Sequence, residues 1–399
     1  MNDYINRKIE KILSQYANQK EALVLTGFRR VGKTFVMRHI YEQLTSSNKI
    51  YLDLESPVNQ KIFENENYNN VALQLSSLGL DLSRKAYVFL DEIQKSQNVP
   101  SVVKYLYDHH DIKFYLTGSS SFYLKNYFNE SMAGRKFVFE LFPLDFEEFL
   151  LFKGEKLTLD ASYDVLSGLY EEYLTYGGFP SVVLEPSPEK KTLKLDDILG
   201  SYFELDVAGL SDFKDNKNLK DLMFLLAGRV GSKADVTKLS QSLGVSRPTV
   251  YEYLTFFEQT YLIHLIKPFS GSRDVQVKSL SKVYFNDSGL LNRVGRVSLG
   301  QLFENKVFNQ LYIKGKYEEI AGKFAQGLVE YYQLKSGVEI DFIYNGRVGY
   351  EVKTTGTSSD VKRLAKTAQS LKLEDYRVVS LEKVRGAPGP FVNYPYKFV

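Results

Sequence analysis

The stretch Gly27-Phe28-Arg29-Arg30-Val31-Gly32-Lys33-Thr34 leaves this chain few choices of fold. It reads G-x-x-x-x-G-K-T, set between Ala22-Leu23-Val24-Leu25-Thr26 and Phe35-Val36-Met37-Arg38-His39-Ile40. The first flank is short, apolar and bounded by glycine, which predicts a buried strand. The second has helical composition. Strand, glycine loop and helix in that order are the context of a phosphate-binding loop. Glycines let the backbone curl so that successive N–H groups point at one anion. The helix that follows adds its positive end. The nucleotide-binding set is therefore Gly27, Phe28, Arg29, Arg30, Val31, Gly32, Lys33, Thr34 and Phe35. Lys33 is expected to neutralise the β- and γ-phosphates of ATP, and Thr34 to hold Mg2+ through its hydroxyl.

A chain of 399 residues is too long for one ordinary domain, so two to four are expected. An apolar fraction of 44%, with 29 Tyr and 27 Phe, can fill several cores. The formal net charge of +3 is near balance and does not by itself demand a nucleic-acid partner. The absence of Cys excludes disulfides and thiolate metal sites, and four scattered His are too few for a histidine metal cluster. No apolar run approaches the ~20 residues of a membrane helix. The start shows no basic segment leading into an apolar core, so the cytoplasm is the expected location and no membrane partner is expected.

Residues 5 to 16 carry Ile5, Ile9, Ile12 and Leu13 at helical spacing, which predicts an amphipathic helix on the edge of the nucleotide domain. Lys49 to Leu54 reads as the next strand. Ala86-Tyr87-Val88-Phe89-Leu90-Asp91-Glu92 then reads as a buried strand ending in two carboxylates. Asp91 is expected in the Mg2+ shell and Glu92 is expected to polarise the attacking water, since phosphoryl transfer needs an in-line water and little other covalent help. Two adjacent acids of this kind point to the branch of P-loop folds with an added strand between the two motif strands. Lys113-Phe114-Tyr115-Leu116-Thr117 supplies that strand, and Gly118-Ser119-Ser120-Ser121 follows it. Thr117 and Ser119 are candidate sensors of the γ-phosphate. Arg135 could reach the phosphate of a neighbouring subunit in a homo-oligomer, because a guanidinium matches phosphate geometry; a surface salt bridge explains it as well.

These motifs carry a resemblance. GFRRVGKT, VFLDEIQ, YLTGSSS, AGR with the ELFPLDFEEFL run, and YGGFP together resemble a bacterial and archaeal family of AAA-type (ASCE) P-loop ATPases with an uncharacterised C-terminal domain. The resemblance covers nearly the whole chain. It implies that Pro180, in Gly177-Gly178-Phe179-Pro180, touches the adenine base.

Beyond the nucleotide motifs, residues 155 to 225 have a helical pattern and are expected to form a lid. Lys233 to Val245 and Ser246 to Leu254 read as two helices around a glycine turn. Ser246 is placed to cap the second, and Pro248 lies in its first turn. Tyr261 to Ile266 and Lys282 to Phe285 would be wing strands. A winged helix predicts DNA contact through Arg247, Thr249 and Tyr251; such a module also serves for packing between domains.

The last hundred residues hold a second constellation. Glu304 lies on a helix. Val338 to Tyr344 and Val348 to Lys353 read as strands of a hairpin turned at Asn345-Gly346. Alternation puts Ile340, Phe342 and Tyr344 on one face of the first strand, and Val348, Tyr350 and Val352 on one face of the second. Those faces coincide only if the loop holds an odd number of residues, most simply three. The same loop gathers Asp341, Glu351 and Lys353 on the other face. Two carboxylates there could take a second Mg2+ or Mn2+, with Lys353 on the attacking water and Glu304 approaching from its helix. Asp followed by Glu-x-Lys across a hairpin resembles the PD-(D/E)XK nuclease fold.

The expected organisation is an α/β P-loop domain over residues 1–155 and a helical lid over 156–225. A winged helix-turn-helix over 226–292 and a nuclease-like domain over 293–399 follow. Three functions stay open: an ATPase coupled to DNA binding and metal-dependent cleavage, an ATPase whose nuclease-like domain only binds, and a nucleotide-state switch that recruits a protein partner.

Overall fold

The computed structural model describes residues 4–119, 132–155, 163–208, 216–320, 328–382 and 391–393. The chain divides into two units. The first comprises Met1–Phe142, Tyr202–Asp212 and Gln259–Tyr261; the second comprises Pro143–Ser201, Phe213–Glu258 and Leu262–Val399. Two short segments thus rejoin the first unit from far along the chain, outside the 1–155 span expected for it.

The first unit is built on five parallel strands: β1 (Ala22–Thr26), β2 (Lys49–Asp53), β3 (Ala86–Asp91), β4 (Ile112–Thr117) and β5 (Lys136–Glu140). Their order is β2-β3-β4-β1-β5, so β4 lies between the strand that leads into the glycine loop and the strand that ends in Asp91. Every residue of β1 and of β4 is buried. Unbroken apolar runs are what a central parallel strand, covered on both faces, requires. On one face Val24, Val88, Leu90, Phe114 and Leu116 pack with Val71, Leu75, Val102, Val103 and Leu106 from the helices Tyr68–Ser77 and Val99–His109. Each such side chain contributes about 1.5–3 kcal/mol by leaving water. On the opposite face of β3 and β4, Phe89 and Tyr115 stack with ring centroids 4.3 Å apart. The helix Lys8–Gln15 buries Ile9 and Leu13, as its spacing predicts. Arg7, just before it, is buried and donates from its guanidinium to Val31 O at 2.9 Å and to Phe142 O at 2.8 Å, which ties the helix to the glycine loop.

In the second unit the helices Val236–Leu243 and Arg247–Gln259 flank a turn at Gly244, whose φ of 66° ends the first helix in a left-handed cap. Asp235 caps the first helix, accepting from Thr237 N at 3.0 Å, and Ser246 Oγ accepts from Thr249 N at 3.2 Å at the start of the second. Two antiparallel strands follow, β6 (Ile263–Ile266) and β7 (Lys282–Phe285), with a short helix, Arg273–Lys278, between them. The long helix Leu299–Ile320 leads to a second sheet. This sheet holds β8 (Val329–Gln333), β9 (Glu339–Tyr344), β10 (Val348–Lys353), β11 (Asp375–Ser380) and β12 (Phe391–Asn393), in sequential order. β8, β9 and β10 form an antiparallel meander; β11 and β12 continue it in parallel with β10. The helix Ser358–Ser370 makes the crossover from β10 to β11. Val348 pairs with Tyr344, so the β9–β10 loop is the three residues Asn345, Gly346 and Arg347, with Asn345 and Gly346 both at positive φ.

Candidate functional site

The glycine loop leaves the carboxyl end of β1, the edge where ligands bind in open α/β sheets. Three residues shape it. Gly27 has φ of 136°, and a Cβ there would lie 2.1 Å from the carbonyl oxygen of Leu141, so no side chain fits. Arg30 and Gly32 also adopt positive φ, at 65° and 103°. The helix Lys33–Gln43 starts directly from Gly32. Lys33 is almost wholly buried, and its ammonium donates to Gly27 O and Phe28 O, each at 3.0 Å. Burial pushes the Lys33 ammonium below its ordinary pKa, against the pull of Glu92 and Asp206. A dehydrated cation inside a loop of backbone is a receptor for an anion. The next residue, Phe35, is 72% exposed.

The carboxyl ends of β3 and β4 bring the second half together. Asp91 is buried and accepts hydrogen bonds from Tyr51 Oη at 2.7 Å and from Thr117 Oγ1. Glu92 N donates in turn to Thr117 Oγ1 at 3.0 Å. Glu92 itself has φ of 55°, a left-handed conformation that costs a non-glycine residue about 1–3 kcal/mol and is found mostly at functional positions. The Gln94 side-chain amide donates to Glu92 Oε2 and, at 2.8 Å, to Ser119 Oγ. Thr117 therefore meets the acidic pair directly, and Ser119 is joined to it through Gln94. Ser120 and Ser121 lie outside the described residues.

Sequence reasoning missed one charged group here. Asp206, in the π-helical turn Tyr202–Val207, is buried against the glycine loop. Arg29 reaches it through Nε at 3.0 Å and a terminal nitrogen at 3.1 Å. Burial opposes the charge of Arg29, but Asp206 and then Glu92 more than offset this and raise its pKa. Ser119 Oγ donates to Asp206 Oδ1 at 3.4 Å. Phe28 and Tyr202 stack with centroids 5.4 Å apart, fixing the same turn to the loop. Nothing in the spacing of a lone Asp more than a hundred residues downstream announces this.

Two expectations find other surroundings. Arg135 precedes β5, and its carbonyl accepts from Ala22 N at the amino end of β1, the edge opposite the glycine loop. Its guanidinium is paired with Asp108 at 2.9 Å. Within this chain Arg135 therefore stays away from the nucleotide loop. Pro180 starts the short helix Pro180–Val183 in the second unit. The glycines before it are explained by packing alone. Gly178 N donates to Asp287 Oδ2 at 2.8 Å, and a Cβ on Gly177 would lie 2.0 Å from Asp287 Oδ1.

The C-terminal constellation assembles as alternation requires. Asp341 and Glu351 face one another across β9 and β10, and Asp341 Oδ2 accepts from Val352 N at 2.7 Å. Glu351 Oε1 is bound by Lys353 at 2.8 Å and by Arg363 at 3.0 Å. Glu304 Oε1 accepts from Tyr284 Oη at 2.7 Å, and Lys282 pairs with Glu339. Burial, then Glu304 and Glu351, raise the pKa of Asp341; burial also raises that of Glu304. Lys282 keeps its charge because Glu304, Asp341 and Glu339 outweigh its desolvation. Among the described residues no three acidic or histidine side chains are grouped to hold a metal ion. With Glu351 already held by two cations, the donor set does not fit the second Mg2+ or Mn2+ expected at Asp341 and Glu351. It fits a cluster in which Lys353 and Arg363 pair with Glu351 and Lys282 pairs with Glu339. Lys282 and Tyr284 are members that the Asp and Glu-x-Lys pattern could not reveal, since they come from β7.

On the helix-turn-helix, Arg247, Pro248, Tyr251 and Glu252 are exposed and Thr249 is half-buried. Among the described residues no helix is long and apolar enough to cross a membrane.

Comparison with known proteins agrees with the first unit. Residues 167–301 match a domain of unknown function (DUF8612). An uncharacterized protein of Methanocaldococcus jannaschii is 29% identical over 393 residues, covering 93% of this chain and 83% of its own length. An uncharacterized protein of Haemophilus influenzae is 27% identical over 361 residues, covering 87% of each. Among solved structures, a Walker-type ATPase of Pyrococcus abyssi is 15% identical with a TM-score of 0.49, over 73% of this chain and 96% of that one. Residues 19–150 match the AAA domain family, and with a parallel β2-β3-β4-β1-β5 sheet and a glycine loop at the tip of β1 they form an AAA-type P-loop domain.

Proposed function

We propose that this protein binds ATP with Mg2+ in the loop Gly27–Thr34 and hydrolyses it. The observation that carries the reading is the buried Lys33 ammonium held inside the glycine loop by Gly27 O and Phe28 O, each at 3.0 Å, on the sheet edge where β3 ends at Asp91, followed by Glu92. A desolvated cation inside a glycine loop suits the phosphates of a nucleotide, and the carboxylates at the end of β3 suit their counter-ion. Thr34 and Asp91 are the residues to hold Mg2+. This ion commonly keeps several waters and takes one or two protein oxygens beside the phosphates. When bound it neutralises charge on the phosphates. Lys33 binds the β- and γ-phosphates, and the loop N–H groups orient them. Glu92 accepts the proton of the attacking water, and Thr117 holds Glu92 at its backbone. Removal of Lys33 by Lys33→Ala should weaken ATP binding at least about a hundredfold, as expected when a buried charge-assisted contact is lost. Glu92→Gln should bind ATP and fail to turn it over. Isothermal titration and phosphate release separate the two, and wild-type affinity in Lys33→Ala refutes the assignment.

A second reading concerns the helix-turn-helix. Lys238 and Arg247 stand exposed on adjacent helices, and Tyr251 is exposed about one turn after Arg247, which favours contact with a DNA backbone. Glu351, already paired with Lys353 and Arg363, favours binding without cleavage, so the C-terminal sheet serves as a platform. Fluorescence anisotropy with duplex DNA should show affinity that falls between 50 and 200 mM salt, roughly as the number of phosphates contacted. Plasmid DNA should stay uncut with Mg2+ or Mn2+. Salt-independent binding would point instead to a protein partner.

A further inference from the structure

The residues around the glycine loop include a connected path that the ATPase reading leaves unused. Arg29, within the loop, is held by both carboxylate oxygens of Asp206. Asp206 accepts from Ser119, Ser119 accepts from Gln94, and Gln94 holds Glu92. Asp206 and Ser119 are each only 2% exposed. Gln94 Oε1 is buried with no hydrogen-bond partner, so the amide is committed through its nitrogen to Glu92 and Ser119. Gly118 makes room for it, since a Cβ there would lie 3.3 Å from Gln94 Oε1.

We propose that Arg29, Asp206, Ser119 and Gln94 form a relay that keeps the Glu92 carboxylate engaged until a triphosphate draws Arg29 away from Asp206. Gln94 and Asp206 are positioning residues in this scheme, and it rests on the reading that Glu92 activates water. The direction follows from where the charge pair and the slack lie. The Arg29–Asp206 pair is the bidentate link between opposite charges, Gln94 holds Glu92 and Ser119 more closely, and the longest link is Ser119–Asp206 at 3.4 Å, the one with most room to tighten. A phosphate anion at the loop competes for the same guanidinium, because both oxyanions suit its planar fork. An Asp206 carboxylate that loses its cation is buried and short of donors, so it must take the Ser119 hydroxyl more fully. Ser119 then draws the Gln94 amide, and Glu92 is released toward water. No bond other than hydrogen bonds is made or broken. The arrangement also links the AAA domain to Asp206, a residue inside the second matched region.

The test is a comparison of ATP affinity and saturated turnover in full-length variants. Asp206→Asn removes the charge that competes for Arg29. It should tighten ATP about tenfold, the size of one charge-assisted hydrogen bond. Its kcat should nonetheless fall about tenfold, because Ser119 is no longer drawn away and Gln94 stays on Glu92. Adding Gln94→Ala to that variant should restore kcat, and Asp206→Glu should keep it. A merely structural Asp206 moves affinity and turnover together. Unchanged or weaker ATP binding by folded Asp206→Asn overturns the relay, as does a double variant that stays slow. Should Asp206→Asn not fold, Ser119→Ala breaks the path at its middle: kcat should fall about tenfold and recover when Gln94→Ala is added, and an unchanged kcat or a double variant that stays slow overturns the proposal. A wild-type protein that binds no ATP refutes the ATPase reading itself and the relay with it, whereas a turning-over wild type with an unresponsive Asp206→Asn refutes the relay alone.

Discussion

Burial of ionisable groups recurs through this molecule, and its cost is visible at His264. The ring is enclosed by Phe308 and Tyr312 and bonded to Asn286 at 3.1 Å. Desolvation, only partly offset by Asn286, lowers its pKa from 6.5 to about 4. The unfolded chain therefore takes up a proton on this residue at a pH where the folded chain does not. Its contribution to stability is complete above about pH 6.5 and declines as the pH falls toward 4, by about 3 kcal/mol in all. Urea midpoints measured across that window should drop on acidification. His264→Asn, though less stable at pH 7, should flatten that part of the profile; an equally steep profile in the variant would assign the acid sensitivity elsewhere. At the same scale, the residues of the nucleotide loop were legible because their types and spacing are dictated by one chemistry. Asp206 was not, because an isolated acid acquires meaning only from what folding brings to it. Gln94 stood in view within VFLDEIQ, yet its amide has a purpose only once Ser119 lies beside it.

Among elements, period and turn length made the hairpin of β9 and β10 readable. An odd loop was needed for two apolar faces to coincide, and Asn345-Gly346-Arg347 is that loop. Four of the parallel strands were readable for a related reason: a strand buried on both faces is a largely apolar run, as in β1 and β3. What the helix-turn-helix touches was not readable, since exposed side chains on a helix carry no period of their own. Close approach of backbones is also invisible in one dimension. Gly27→Ala would push a Cβ against Leu141 O in a conformation that alanine avoids. We expect a loss of about 2 kcal/mol or more, read as a lowered thermal midpoint, together with weakened ATP binding. An unaltered midpoint would mean that the β1–β5 edge yields more easily than its geometry implies.

At the scale of the whole molecule, the AAA match ends at residue 150, whereas the first unit continues through Tyr202–Asp212 and Gln259–Tyr261. Those segments supply Tyr202 against Phe28, Asp206 on Arg29, and a Tyr202–Thr260 hydroxyl bond at 2.7 Å. Tyr261 adds a bond to Thr26 Oγ1 at 3.3 Å. A fragment of residues 1–150 lacks all four side chains and leaves the Phe28 face uncovered. It should melt well below the full chain or collect in the insoluble fraction. A fragment that folds and binds ATP as well as the intact protein would show that the later segments are dispensable.

The way the chain returns twice to the P-loop unit has a consequence for inheritance. A recombination point placed anywhere between residues 143 and 258 would separate a nucleotide pocket from pieces of its own wall. Exchange of either matched region alone would leave the first unit incomplete.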